Sequence, residues 1–467
     1  MKKLLCSALL LAMTLAAQAE VKLPKIFGDN MVLQQQTECN LWGTADANKV
    51  VKVRASWNGK TYKTQADAQG KWAMKIETPQ AGGPYELSLS DGKELKLHNI
   101  LIGEVWICSG QSNMEMPMKG FKAQPVAGTP EELMLCKDQQ LRLFTVQRNA
   151  QLHPVDTVAG DWKEADAASV REFSAAAYYY GKTLRQSLGV PVGLIVTSWG
   201  GSACEAWING NLIKSDWLKA FPKLHTPWNE ADVKKYQQRC PSALYNGMLH
   251  PLIGYTMKGV IWYQGESNAH NREAHEKLFK LLVESWRKNW ENENLPFYYV
   301  QLSSIDRPSW PWFRDSQRRF LTQIPHTGMA VTSDKGDSLN VHPTHKQEVG
   351  ERLAVWALNK TYNYKNVVPS GPLFKSVSFK NGAAYISFDY SEGLHASDNN
   401  EIRTFELSGD DQIFYPAKAA VVNGELKVWS DKVKEPTIVR YGWQPFTRAN
   451  LVNGAGLPAS TFRSDVK

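Results

Sequence analysis

Between residue 21 and about residue 100 the chain alternates apolar and polar positions in short runs: "NMVLQQQ", "CNLWGTA", "KVVKVRASWNG", "KTYKTQA", "KWAMKIETP", "YELSLSDG" and "KELKLHNI". Each run is bounded by Gly, Asn, Asp or Pro, and a period of two with such boundaries predicts strands. Seven short strands at this spacing predict a small β-sandwich over residues 20–100. From residue 101 to 365 the pattern changes. The runs "GVPVGLIVTSWGG", "MKGVIWYQGESN" and "LPFYYVQLSS" predict buried strands. "HEKLFKLLVESWRKNW" gathers Leu278, Leu281, Leu282 and Trp286 on one helical side, and "KQEVGERLAVWAL" does the same with Val349, Leu353 and Trp356. Strands alternating with helices predict an α/β domain, a parallel sheet covered by helices on both faces. Over residues 366–467 strand patterns return, in "FKSVSFKNGAAYISFDY", "IRTFELSG", "DQIFYPAKAAVVNGELKVWS" and "PTIVRYGW", and predict a second β-sandwich-like domain.

The first residues, "MKKLLCSALLLAMTLAAQAE", do not fit this scheme. A charged start, an apolar stretch of about a dozen residues and an "AQA" site make residues 1–19 an expected signal peptide, and the mature protein an exported one, periplasmic or secreted. The apolar run is too short to span a bilayer, and no later run reaches that length, so no membrane anchor is expected.

Composition adds exclusions. Losing Lys2 and Lys3 takes the formal charge from +8 to +6, and the excess is spread along the chain with no Lys/Arg block, so nucleic acid is not an expected partner. Five cysteines remain, Cys39, Cys108, Cys136, Cys204 and Cys240; an odd, scattered set allows one or two bridges and no disulfide framework. The 17 Trp exceed ordinary usage. Core packing accounts for most of them, and sugar-binding surfaces are the alternative. Nothing in the sequence sets an oligomeric state.

The chemistry lies where strands end. In a parallel α/β sheet ligands gather at the carboxyl ends of strands. Four polar clusters fall there: Ser112 in "SGQSNM", Gly200 and Gly201 in "SWGGS", Gln264 to Asn268 in "QGESN", and His342 in "NVHP". Each alone is a weak signal. Together they supply what acyl transfer needs: a hydroxyl nucleophile, glycine amides for an oxyanion, a side-chain donor and an imidazole base.

At this point the chain resembles the sialate O-acetylesterase family, a branch of the SGNH hydrolases. The stretches "GEVWICSGQSNMEMPM", "GVPVGLIVTSWGG", "ALYNGMLHPL", "IWYQGESNA" and "HPTHKQEVGERLA" carry the resemblance, in family order. It implies an SGNH-like α/β fold, no metal or organic cofactor, and an O-acetylated sugar or glycan as substrate. It also implies that Ser112 is the nucleophile, lifted into the cleft at a sharp strand exit, while Ser109 merely caps the turn. His342 becomes the general base, and Pro343 at the first helical position would set it at a helix N-terminus, whose positive end keeps the ring neutral. The backbone N–H groups of Ser112 and Gly201 are candidate oxyanion donors, with one side-chain donor from Gln264 or Asn268. Glu266 either orients neighbours, binds a sugar hydroxyl or is a buried structural carboxylate. Arg314 meets a substrate carboxylate or is an ordinary helix-surface arginine.

The third triad position departs from the family. An Asp three or two residues before the histidine is usual, and this chain has Leu339 and Asn340 there. Either Asp337 reaches back to the ring, or a backbone carbonyl orients it in a Ser–His dyad. A metal pair of His342 and His345 with Asp334 or Asp337 lacks a third ligand of suitable spacing. The functional expectation is a secreted serine esterase acting on O-acetylated sialic acid. An acetylesterase acting on xylan or xyloglucan is the alternative, and a non-catalytic glycan-binding protein is the alternative of another class.

Overall fold

The structure, a computed structural model, describes residues 21–213, 229–422 and 424–466; the expected signal peptide lies outside them. In chain order, β1 (Val32–Gln34), β2 (Thr37–Thr44), β3 (Val50–Ala55), β4 (Thr61–Gln65), β5 (Lys71–Thr78) and β6 (Gly82–Ser90) lead to β7 (Glu94–Gly110). Then come β8 (Asp138–Thr145), β9 (Trp162–Ala165), β10 (Val192–Ser198), β11 (Gly259–Tyr263), β12 (Phe297–Val300) and β13 (Thr327–Ala330).

The 17-residue β7 organises the chain. Its first half pairs with β6 antiparallel and with β1 parallel, while its second half pairs with β10 and β11 parallel. The expected boundary near residue 100 therefore falls inside one continuous strand. Ile100 to Gly110 is buried at every position, the pattern of a strand covered on both faces. One hydrophobic core runs unbroken from Val21 to Leu373, so the N-terminal strands and the α/β region share it.

The central sheet runs in the order β13-β12-β11-β7-β10-β8-β9. Its ladders are parallel except for the β8–β9 edge. The helices of the described residues are α1 (Ser112–Glu115), α2 (Thr129–Leu135), α3 (Ala167–Glu172), α4 (Ala175–Leu188), α5 (Glu230–Tyr236), α6 (Arg272–Asn289), α7 (Trp310–Gln323) and α8 (Lys346–Trp356). Trp262 pairs in register with Ser109, three residues beyond Trp106, so the two tryptophans point to opposite faces. Trp106 meets Tyr180 of α4 edge-on, and Trp262 meets Trp286 of α6, placing a helix on each face. On the first face α4 and α8 cross at Gly350, where a Cβ would stand 2.6 Å from the Tyr179 Cβ. The helices foreseen around Leu278, Leu281, Leu282 and Trp286, and around Val349, Leu353 and Trp356, bury those side chains, except Leu281, which is half-buried at the edge of the apolar side.

Beyond Leu373 a second core belongs to a seven-stranded antiparallel sheet. Phe374 on its first strand stacks on Phe462 of its last at 4.5 Å, bringing the edges together into a nearly closed, barrel-like sheet. The five described cysteines are all unpaired and buried, so the one or two bridges allowed by their number are not formed.

Candidate functional site

The site begins with a glycine. Gly110 ends β7 at φ +143°, and a Cβ there would lie 2.1 Å from the Tyr263 carbonyl oxygen at the end of β11. No residue with a side chain fits. The Gln111 N–H then donates to that same carbonyl at 2.9 Å, and the Gln111 Oε1 accepts from the N–H groups of Gly265 (3.3 Å) and Ser267 (3.2 Å). The strand exit is thus locked to the "QGESN" loop before Ser112 opens α1. Ser109 stays inside the sheet, fully buried, with no partner for its hydroxyl.

Ser112 Oγ lies 2.8 Å from His342 Nε2, and His342 Nδ1 lies 2.8 Å from Gln124 Oε1. An amide oxygen can only accept, so Nδ1 carries the proton and Nε2 offers its lone pair to the serine hydroxyl. Gln124 comes from a tight turn in which Phe121 and Gln124 exchange both backbone bonds, and Phe121 packs edge-on to the imidazole at 5.2 Å. Neither alternative drawn from the sequence for the ring's partner is met. The carboxylate of Asp337 is solvent-exposed and accepts the N–H groups of Leu339 (2.8 Å) and Asn340 (2.9 Å), which hold it below the usual carboxylate range. It caps its own loop and does not meet the ring.

The helix expected at Pro343 starts three residues later, at Lys346, with His345 at its cap. His342 lies in the preceding loop, three residues before the His345 cap. Its pKa is nonetheless held below the ordinary value, by burial first and by the charge of Lys346 second. The ring feels a positive neighbour and no carboxylate.

Asn113, the next residue after Ser112, joins three elements. Its Nδ2 donates to Glu266 Oε1 (2.5 Å) and to the Val341 carbonyl (2.9 Å), and its Oδ1 accepts from Lys346 Nζ. Burial raises the Glu266 pKa, an effect opposed by Asn113, and pushes Lys346 down to about 7. Glu266 Oε1 thus holds Asn113, while its buried Oε2 has no partner among the described residues.

Of the two expected side-chain donors of "QGESN", Gln264 is fully engaged as a donor, while Asn268 keeps one Nδ2 hydrogen without an acceptor among the described residues. Gln264 Nε2 donates to the Ser202 carbonyl (3.2 Å) and to Asn268 Oδ1 (2.7 Å), which uses both of its hydrogens. Asn268 Oδ1 also accepts from the Cys204 N–H at 2.9 Å, and its Nδ2 donates to the half-buried Glu205 at 2.9 Å. Both amides fasten the glycine turn after β10 to the loop after β11. The backbone candidates remain open: among the described residues no acceptor takes the N–H of Ser112 or of Gly201. Gly200 crosses directly over the serine, since a Cβ there would stand 3.4 Å from Ser112 Cβ, and its N–H donates to Glu115 at 2.8 Å.

Arg314 lies on no surface. It is fully buried and donates to Thr461 Oγ1 (3.1 Å) and to the carbonyls of Pro445 (2.9 Å), Gly442 (2.9 Å) and Gln444 (2.7 Å). It bolts α7 to the C-terminal sheet. Burial lowers its pKa to about 9. His345 pairs with Glu348, and Asp334 with Arg352. Sequence reasoning missed Gln124, Asn113 and Lys346. Two of them sit inside the recognised stretches, beside Ser112 and four residues after His342. Gln124 carries no signal, because its turn becomes meaningful only when it folds over the ring.

A serine hydroxyl presented to a neutral imidazole at the carboxyl edge of a largely parallel sheet belongs to a carboxylic ester hydrolase. The family model described as carbohydrate esterase, sialic acid-specific acetylesterase matches residues 102–359, and the chain belongs to that family. The mouse protein named sialate O-acetylesterase is 28% identical over 442 residues, covering 81% of this chain and 80% of that protein. The human protein of the same name is 28% identical over 421 residues, 81% of this chain and 78% of that one. The crystal structure of a carbohydrate acetylesterase from Xanthomonas citri is similar with a TM-score of 0.86 and 36% identity, covering 96% of this chain and all of that one.

Proposed function

We propose that this protein is an exported sialate O-acetylesterase working through an acetyl-serine intermediate. The observation that carries the reading is the 2.8 Å contact of Ser112 Oγ with His342 Nε2, with Nδ1 donating to Gln124 at the same distance. Ser112 Oγ attacks the acetyl carbonyl while Nε2 takes its proton. The oxyanion is met by the N–H groups of Ser112 and Gly201. The protonated Nε2 returns its proton to the departing sugar oxygen, and water activated by the same nitrogen then releases acetate. With Gln124 as partner, the transient imidazolium has a hydrogen bond and no counter-charge. The serine–histidine–glutamine arrangement takes the place of the expected dyad or Asp337 triad.

The sugar rests on the names of the family and of its relatives. The fold reading goes with it: an SGNH-like sheet with helices on both faces, between sandwich-like strands at residues 20–100 and 366–467, with β7 shared across the first boundary. The test compares hydrolysis of O-acetylated sialic acid, O-acetylated xylan and an aryl acetate, by the wild type and by Ser112→Ala. The expectation is preference for the sialic acid and loss of at least about 10³-fold on all substrates in the variant. Preference for xylan would move the substrate and keep the chemistry. Turnover retained by Ser112→Ala but lost in Ser109→Ala would overturn the nucleophile.

A further inference from the structure

Three residues after Ser112, Glu115 holds an arginine that the reaction does not use. Arg148 follows β8 by three residues and Trp199 follows β10 directly, so both stand at the carboxyl edge of neighbouring strands, next to the exit of β7. Glu115, on the same short helix as Ser112, accepts from Arg148 Nε at 2.7 Å and from Nη2 at 2.8 Å. Its Oε2 also takes the Gly200 N–H at 2.8 Å, so the same carboxylate ties the guanidinium to the glycine lying over the serine.

This grip is side-on. It uses Nε and one hydrogen of Nη2, and leaves the opposite edge of the fork, Nη1 with the outer Nη2 hydrogen, without an acceptor among the described residues. That edge is one a second carboxylate can take in two parallel bonds. The Arg148 side chain is 53% exposed, its guanidinium lies over the Trp199 ring at 5.5 Å, and both line a cavity of about 620 Å³ that also includes Gln151, Glu230, Lys234 and Gln237. Glu115 links this cavity to the helix of Ser112 through Arg148. A surface arginine ordinarily gives up side-chain freedom when it binds. Here Glu115 and Trp199 have already fixed the fork, which lowers the cost of using it.

We propose that Arg148 is a substrate-binding residue whose open edge takes the carboxylate of an acidic sugar, with Trp199 as the platform beneath. The inference rests on the esterase reading of Ser112 and deepens it: the site selects a carboxylate-bearing monosaccharide over a neutral acetylated polysaccharide. Glu115 is a positioning residue in this arrangement, since it acts through Arg148 and Gly200.

The test uses the full chain and three substrates: a mono-O-acetylated sialic acid, the same sugar with its carboxylate converted to a primary amide, and an aryl acetate. For the wild type, KM for the amide is expected about 10- to 100-fold above KM for the acid, the range of a charge-assisted bidentate contact. In Arg148→Gln the acid-to-amide ratio of kcat/KM collapses towards one, and the loss on the acid exceeds the loss on the aryl acetate at least about tenfold. Equal treatment of acid and amide by the wild type would overturn the inference. So would a common loss on all three substrates in Arg148→Gln, which would mean that the residue acts on Ser112 through Glu115 alone. Turnover of the aryl acetate with none of either sugar would overturn the sialate reading, and the inference with it.

Discussion

Gln124 Oε1 accepts the Nδ1 hydrogen of His342 at 2.8 Å, in the place where a carboxylate would stabilise a charged ring. The partner fixes the tautomer without attracting a proton. Gln124→Ala is expected to lower kcat/KM by about 10- to 100-fold, less than the roughly 10⁴-fold loss that follows removal of a triad aspartate. Gln124→Glu is the sharper variant. An opposite charge in direct contact raises an imidazole pKa by about 1–3 units. Activity needs the neutral ring, and the wild-type ring lies below its ordinary value, so the wild-type acid limb lies on the acid side of pH 6.5. In Gln124→Glu that limb moves to higher pH. A kcat/KM profile with the limb unmoved would show that Gln124 is not the ring's partner in solution.

Asp337→Asn is expected to leave kcat/KM within about threefold of the wild type. The side chain accepts two backbone N–H bonds within its own exposed loop, and an Asn oxygen can accept them as well. A loss comparable with that of His342→Ala, at unchanged thermal stability, would return the carboxylate to the triad.

The central sheet and its flanking helices are legible in the sequence, and Ser112 and His342, which the fold brings to 2.8 Å, stand out in it. Those signals are local: buried hydrophobic runs, a glycine before a polar cluster, a 3.6-residue period. What it hid depends on distance along the chain. Gln124 and His342 are 218 residues apart, and nothing in "GFKAQP" distinguishes a ring-orienting amide from a loop amide. The expected boundary near residue 100 falls inside β7 because the strand changes both its pattern and its partners there without a break in the backbone. Pro343 suits a first helical position, but the helix begins at Lys346, which turns into the interior to reach Asn113. Arg314 meets neither a substrate-facing cleft nor a helix surface, the two places its sequence context allows, because carbonyls more than a hundred residues away fold around it. The excess of tryptophan is largely core, with Trp106, Trp207, Trp262 and Trp286 among the largest fully buried side chains.

Arg314→Ala is expected to destabilise the protein by about 3 kcal/mol or more, since it strands several buried acceptors that had charged donors. Arg314 touches none of the groups around Ser112, so denaturant unfolding should shift while kcat/KM at 25 °C stays near the wild-type value. The C-terminal sheet should become the earliest site of limited proteolysis. An unfolding midpoint equal to that of the wild type would remove Arg314 as the bolt between α7 and that sheet.

The last prediction concerns the buried charge near the histidine. Lys346 is pushed down to about 7, so it gains its proton as pH falls through the range in which His342 would also protonate. A positive charge arriving there opposes a second one on the ring, and His342 stays neutral to lower pH than burial alone would keep it. Lys346→Met removes this effect, and the acid limb of kcat/KM should move up towards the ordinary imidazole value near 6.5. The substitution also leaves the Asn113 Oδ1 without its donor, so kcat at the optimum should fall as the pin between Ser112 and the Val341–His342 loop loosens. Lys346→Arg separates the two contributions, because it keeps a charge that does not titrate in this range while altering the fit. Its acid limb should stay at or below that of the wild type, whatever happens to kcat. An acid limb that moves upward equally in both variants would show that Lys346 acts by holding Asn113 in place, with its charge contributing nothing to the ring.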